Sequence, residues 1–220
     1  MKKKLLSLAA ASLICGTMAE ARFFVGVEGG YTAQHFYDTA LNSLSTFNFT
    51  LPSPSIIGDA LDRGMQGYSL SLMIGSEDVG RIFGTRWYLG GGYTSVSKDV
   101  AGKNFSRDFI DASLGFDMIL NFYNSGTSSF GIFGGVSMDY HYWLNGSDHN
   151  VDKVINMSEH MFDFSGKAGI TTLLANHHRM EVYAKLPIGS MNISNSKEVV
   201  LGGVSAPANV SFGASYKFIF

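Results

Sequence analysis

Val210-Ser211-Phe212-Gly213-Ala214-Ser215-Tyr216-Lys217-Phe218-Ile219-Phe220 closes the chain and decides its fold. Val210, Phe212, Ala214, Tyr216, Phe218 and Phe220 fall on one face. Ser211, Gly213, Ser215, Lys217 and Ile219 fall on the other. A period of two is that of a strand, whose successive side chains point to opposite sides. The run outlasts the roughly five or six residues of strands in soluble sheets. It matches the about 9–11 residues with which a strand crosses a bilayer.

The same alternation recurs upstream. Arg107–Phe122 sets Ile110, Ala112, Leu114, Phe116, Met118 and Leu120 against Asp111, Ser113, Asp117 and Asn121. Ser129–Tyr142 sets Phe130, Ile132, Val136, Met138, Tyr140 and Tyr142 against Ser137, Asp139 and His141. Met161–Thr172 and Arg179–Ile188 repeat the pattern with Asp163 and Lys167, then Glu181 and Lys185, on the polar side. Arg22–Thr32, Met65–Gly75 and Phe83–Val96 complete a set of eight strands. The even count suits a bacterial barrel.

The connections alternate in length. Long ones fall at 33–64, 97–106, 143–160 and 189–209, and short ones at 76–82, 123–128 and 173–178. Long extracellular loops and short periplasmic turns characterise outer-membrane barrels, so both termini are expected in the periplasm. A secreted soluble barrel alternates too, with its apolar face inward. Aromatic placement favours the membrane: Phe23, Tyr31, Tyr68, Trp87, Tyr93, Tyr140, Tyr142 and Phe220 stand near the ends of the apolar stripes, where girdles belong.

Lys2, Lys3 and Lys4, the apolar run to Ile14, and Ala19-Glu20-Ala21 read as a secretory signal cleaved after Ala21. Residues 1–21 are thus assigned to the signal and 22–220 to a single barrel domain. Ile14 before Cys15 argues against a lipoprotein signal, so the cysteine leaves with the leader and no thiol chemistry remains. The leader carries three of the 16 basic and one of the 18 acidic residues, leaving 13 against 17 and a net charge near −4. That balance offers nothing to nucleic acid. After the leader, no stretch has 18 uninterrupted apolar residues, so no membrane-spanning helix is expected.

The closing residues Tyr216, Phe218 and Phe220 resemble the C-terminal signature that the barrel assembly machinery reads. Gly84-Thr85-Arg86-Trp87-Tyr88-Leu89-Gly90-Gly91-Gly92-Tyr93 resembles a strand of the Helicobacter-type outer membrane proteins. The resemblance implies an eight-stranded antiparallel up-and-down transmembrane β-barrel in the cell outer membrane. Several members of those families are adhesins with large N-terminal passenger regions, which this chain lacks, so adhesion does not follow from the resemblance.

The alternation places Glu28, Asp111, Asp117, Asp139, Asp163 and Glu181 in the lumen with Arg86, Lys167, Lys185 and Lys217. Eight strands leave an interior just wide enough for side chains, whereas open porins use about 16–18 strands. A salt-bridged filling is therefore expected, rather than an ion path. Outer-membrane lipid A deacylases use a His-x-Ser pair with a carboxylate, but two residues after His141 stands Trp143. His177 and His178 have no serine at useful spacing, and no histidine spacing suggests a metal. Gly29-Gly30 and Gly90-Gly91-Gly92 precede no helix and so do not cradle phosphate. No catalytic, metal or cofactor residue is assigned.

Within loop one, Ser53 as N-cap, Pro54 at the first helical position and Gly64 at the end bracket a short helix. It is expected as a lid over the barrel mouth, with a partner-binding knob as the alternative. In loop four, Val199, Val200 and Leu201 form either a strand extension or a contact patch. The expected partners are outer-membrane lipid and lipopolysaccharide, and the assembly machinery during biogenesis. The expected role is that of a non-enzymatic monomeric barrel acting through its extracellular loops or in envelope integrity. An adhesin or host-factor receptor working through loops 33–64 and 189–209 is the alternative, and a lipid-modifying enzyme the alternative of another class.

A strand cannot enter lipid singly, since its backbone groups stay unpaired until the barrel closes. Assembly therefore needs catalysis, and Phe220 ends the row that would be read. Deleting Phe220 is expected to cause periplasmic accumulation and degradation while folding into micelles persists. Wild-type outer-membrane levels on fractionation would defeat this reading.

Overall fold

A computed structural model describes residues 21–39, 47–49, 54–78, 80–100, 102–144, 160–192 and 204–220. Its strands in chain order are β1 (Arg22–Thr39), β2 (Phe47–Phe49), β3 (Met65–Asp78), β4 (Phe83–Val100), β5 (Lys103–Asn124), β6 (Ser129–Leu144), β7 (His160–Leu174), β8 (His178–Asn192) and β9 (Val204–Ile219). One helix, α1, spans Pro54–Arg63. Eight strands form an antiparallel ring, each long strand paired to the next and β1 closing on β9. The three-residue β2 is an addition outside the ring, paired with Gly189–Met191 of β8.

The ring turns the alternation into two surfaces. Leu72, Ile74, Leu114, Ile132 and Val182 are exposed, whereas their chain neighbours Met73, Phe133, Glu181 and Tyr183 are buried. An exposed apolar wall around a polar interior is the reverse of a soluble barrel, and it fits lipid as the outer solvent. Tyr31, Tyr68 and Tyr93 ring one end of the wall, and Phe23, Phe83, Trp87, Tyr123 and Phe220 ring the other. From Phe23 to Tyr31, at about 3.3 Å per residue, the band is about 25 Å tall along the strand. Phe220 is tied into the lower girdle. Its N–H donates to the Phe23 carbonyl at 2.9 Å, and its ring lies 5.9 Å from that of Phe23 and 5.1 Å from that of Phe218.

The strands outrun the apolar stripes, which corrects several expected boundaries. Residues 97–106 are not a long loop: β4 and β5 pair as far as Val100–Lys103, and Gly102 takes the turn at φ 79°. Polar residues such as Ser97, Lys98 and Asp99 hide this extension from hydrophobic periodicity, although backbone pairing needs no apolar side chains. Residues 33–39 likewise extend β1, and 189–192 and 204–209 belong to β8 and β9. Ser53, Val199, Val200 and Leu201 lie outside the described residues. The connections at the opposite end of the barrel are 79–82, 125–128 and 175–177.

The helix is not a lid. α1 packs on β1 and β9, where Ala33, Val210 and Ala60 are fully buried. Ala33 and Val210 share the outward face with Tyr31 and Phe212, so α1 covers the flank of the wall. Gly64 follows because a side chain there would sit 2.2 Å from the Ala60 carbonyl oxygen and 2.7 Å from that of Gln34. The mouth is filled instead by inward residues Met65, Val96, Phe109 and Met161, with Trp143 packed against them.

The ring is weakest between β8 and β9, whose pairing runs only from His178–Phe218 to Lys185–Ser211. Above it, β8 bulges at Ile188 against β7 and takes β2 as its neighbour, while β9 continues along β1 to Thr39–Val204. Two of the chain's four prolines, Pro187 and Pro207, stand on these diverging segments. A proline has no N–H to give a ladder, so it suits a strand that is losing a neighbour.

Close contact between β1 and β9 rests on Gly30. A Cβ there would lie 2.4 Å from the Phe212 carbonyl oxygen and 2.7 Å from Gly213 Cα. Backbone cannot swing aside, so overpacking of about 1–3 kcal/mol is expected for Gly30→Ala. Urea unfolding in detergent micelles checks this, and an unchanged midpoint would contradict the closure geometry.

Candidate functional site

The buried charged side chains among the described residues converge in the interior. β4 presents Arg86, which donates from Nε to Asp117 Oδ2 at 3.0 Å and from Nη2 to the same oxygen at 2.5 Å. Its Nη1 donates to Glu181 Oε1 at 2.6 Å and lies 3.8 Å from Glu77 Oε2. Arg179 donates from Nε and Nη2 to Glu77 Oε1 at 3.1 and 2.9 Å, and from Nη1 to Thr171 Oγ1 at 2.7 Å. Lys217 donates to Glu181 and Ser215, and Ser215 to Glu181. Arg86, Arg179, Lys217, Glu77, Asp117 and Glu181 are each at most 3% exposed. Isolated charges cannot persist in such a place, and these are sustained by one another.

Further up, Lys167 pairs with Glu28 and lies 4.1 Å above the Tyr183 ring. Lys185 donates to Asp139 Oδ1 at 2.7 Å, and Ser137 donates to Asp139 Oδ2 at 2.8 Å. His141 Nδ1 meets Asp111 Oδ1 at 2.6 Å, and its Nε2 meets Asp163 Oδ2 at 3.2 Å. Thr94 donates to Asp111 Oδ2, and Asn209 donates to Asp163 Oδ2. His141 Nε2 also lies 3.3 Å from Asn209 Nδ2. The ten lumen charges read from the sequence point inward, and each meets a partner on another strand, on the neighbouring strand for Asp117 and Asp111 and across the barrel for Glu28 and Lys167.

Alternation alone did not single out Glu77 and Arg179. The expected strand Met65–Gly75 stopped short, but extending its period of two by one step reaches Glu77. Arg179 is the second residue of β8 and faces inward. Its partner on β3 is distant in sequence, so no local spacing points to it.

The filling leaves a cavity of about 70 Å³ in the upper lumen, lined by residues including Glu28, Ser71, Thr94, Asp111, His141 and Asn209. Apolar clusters stand above and below the ion pairs. Met65, Val96, Phe109 and Met161 fill the mouth, and Phe24, Leu173 and Ile219 lie toward the short-turn end. The two nitrogens of His141 face carboxylates, and among the described residues no hydroxyl is hydrogen-bonded to it. Among the described residues, no group of His, Asp and Glu is arranged to hold a metal.

Comparison with known proteins places the chain. The family model described as Helicobacter outer membrane protein matches residues 71–220, well over half of the sequence. The chain belongs to the Helicobacter outer membrane protein family. It is accordingly a Gram-negative outer-membrane barrel protein. No curated protein sequence matches it. Among solved structures it is similar to neisserial surface protein A, at 12% identity and TM-score 0.45, covering 90% of this chain and 97% of that one. It is also similar to OprG of Pseudomonas aeruginosa, at 14% identity and TM-score 0.41, covering 92% and 98%. Ail of Yersinia pestis, solved with the heparin analogue sucrose octasulfate, is 12% identical at TM-score 0.38, covering 89% and 99%.

The lumen network makes a definite demand on stability. Arg86→Met leaves Asp117 and Glu181 buried with too little positive charge, and loss of one member of such a cluster costs about 3–5 kcal/mol. A correspondingly lowered urea midpoint in micelles is the expected result. A midpoint within error of wild type would show the pairs to be dispensable.

Proposed function

We propose that this protein is a non-enzymatic surface barrel whose role is exercised by its extracellular loops, on a scaffold made rigid and impermeable by its filled interior. The observation that carries this reading is the continuous ion-paired filling from Glu77 to His141, with apolar clusters beyond it on either side. Solute passage at porin rates needs an open aqueous path, which eight strands with this filling do not provide. Catalysis of the His-Ser type needs a histidine nitrogen free to take a hydroxyl proton, and both nitrogens of His141 are turned to carboxylates. The remaining surface open to a partner is at the loop end, where α1 lies on the flank and residues 40–53, 145–159 and 193–203 connect the strands. Contact with a host ligand through this surface is the finer form of the proposal, and fold likeness supplies no ligand.

Deletion of residues 40–53 is expected to leave a barrel that folds and reaches the outer membrane, but to reduce host-surface binding or survival of the bacterium. Unchanged binding and survival in properly assembled protein would count against a role for loop one. In planar bilayers the purified wild type should carry no steady porin-sized current, and His141→Ala should leave the lipid A mass spectrum unchanged. A sustained current would refute the filled-lumen scaffold, and a shifted acyl pattern would restore the enzymatic alternative.

A further inference from the structure

The short-turn end of the barrel, periplasmic by the loop-length rule, carries an open hollow of about 640 Å³ that the proposed loop function does not use. Arg22, Arg81, Asn124, Ser125, Ser129 and Asn176 are among its lining residues. Both of the ionised side chains in its lining are arginines, and no carboxylate lines it. Arg22 spends one N–H, from Nη1, on the Asn176 carbonyl at 2.8 Å, which fixes its guanidinium at the rim and leaves its other donors uncommitted in that bond. Arg81 is exposed. Ser129 is 3% exposed, and its Oγ has no hydrogen-bond partner among the described residues. A buried hydroxyl without a partner costs free energy unless something in the hollow meets it.

We infer that this hollow is a binding site for a phosphate group. A guanidinium presents a rigid fork of donors that fits an oxyanion bidentately. A tetrahedral phosphate offers enough oxygens to accept from two arginines and a serine hydroxyl at once, whereas a carboxylate has only two. The apolar wall of the hollow is Leu173, which belongs to the cluster with Phe24 and Ile219. The group is therefore held at the periplasmic mouth and is not passed into the lumen. Cleavage after Ala21 would make the Arg22 backbone nitrogen an ammonium and add a further positive charge at the same rim. The phosphate comes either from solution in the periplasm or from a phospholipid headgroup of the inner leaflet, and the chemistry of recognition is shared.

The test uses the full mature barrel, isotope-labelled and folded in maltoside micelles, which contain no phosphate of their own. Inorganic phosphate is titrated against acetate at matched ionic strength, while arginine side-chain and Ser129 amide resonances are followed. A second series replaces added phosphate by micelles doped with phosphatidylglycerol. Saturable shifts at Arg22, Arg81 and Ser129 are expected with phosphate and not with acetate. Arg81→Gln should weaken the midpoint about tenfold, and the double variant Arg22→Gln with Arg81→Gln should abolish the response. A response to phosphatidylglycerol as well would identify the headgroup as a source, and a response to inorganic phosphate alone would identify the free ion. Because Arg22 also braces a turn, the single Arg81 variant, checked for heat-modifiable migration on gels, decides the matter if the double variant misfolds. Absence of saturable shifts in both series, equal shifts with acetate, or an unaltered response in folded Arg81→Gln would each overturn the assignment.

Discussion

Closure of β1 on β9 is the constraint on which the other features depend. In hydrocarbon an unpaired peptide group costs several kcal/mol, so a sheet in a bilayer must have no edge. The pairing of Phe24 with Ile219 through to Thr39 with Val204 removes the edge between the ends of the chain. Once the ring is shut, its circumference is fixed by the strand number, and with it the width of the interior. Everything inside must then fit that width. Gly30 is small because backbones meet there, and Tyr88 lies over Gly115, where a Cβ would approach within 2.2 Å of its ring.

A narrow interior also decides how charge is handled. Side chains that point inward from opposite walls come within bonding distance, so carboxylates and cations from strands far apart in sequence neutralise one another. Glu181 on β8 collects Arg86 from β4 and Lys217 from β9, and Glu77 on β3 collects Arg179 from β8. The Arg86–Glu181 and Arg179–Glu77 links cross the barrel, so the network braces the cylinder from inside while the ladders brace it around the rim. It concentrates a large share of the fold's specificity in a few residues. It pairs the charged groups of the lumen with one another.

The two ends of the molecule are left with different resources. At the long-loop end, chain length is plentiful and the wall itself diverges between β8 and β9, where β2 and α1 from loop one attach on either side of the divergence. At the short-turn end, the strands are joined by minimal connections, and polar turn residues with two arginines frame a hollow. The two ends thus differ in the length of their connections and in their lining, with an ion-paired interior between them.

The sequence by itself determined which residues share a face, because a strand forces side chains to alternate and one apolar stripe must meet lipid. Val210 to Phe220, Leu114 and Val182 could be placed that way without any partner strand. It also located α1 closely, since Pro54 opens a helix cheaply and Ile56, Ile57, Ala60 and Leu61 fall on one side of its period. It did not reveal the full strand lengths: Ser97, Lys98 and Asp99 look like loop although their backbones are paired, since hydrogen bonding continues where burial stops. Nor could it reveal that Arg86 meets Glu181, that Asp111 and Asp163 clasp His141, or that Arg22 and Arg81 share a hollow. Those pairings depend on the stagger of the ring and on which walls face one another, and only the closed three-dimensional cylinder sets that.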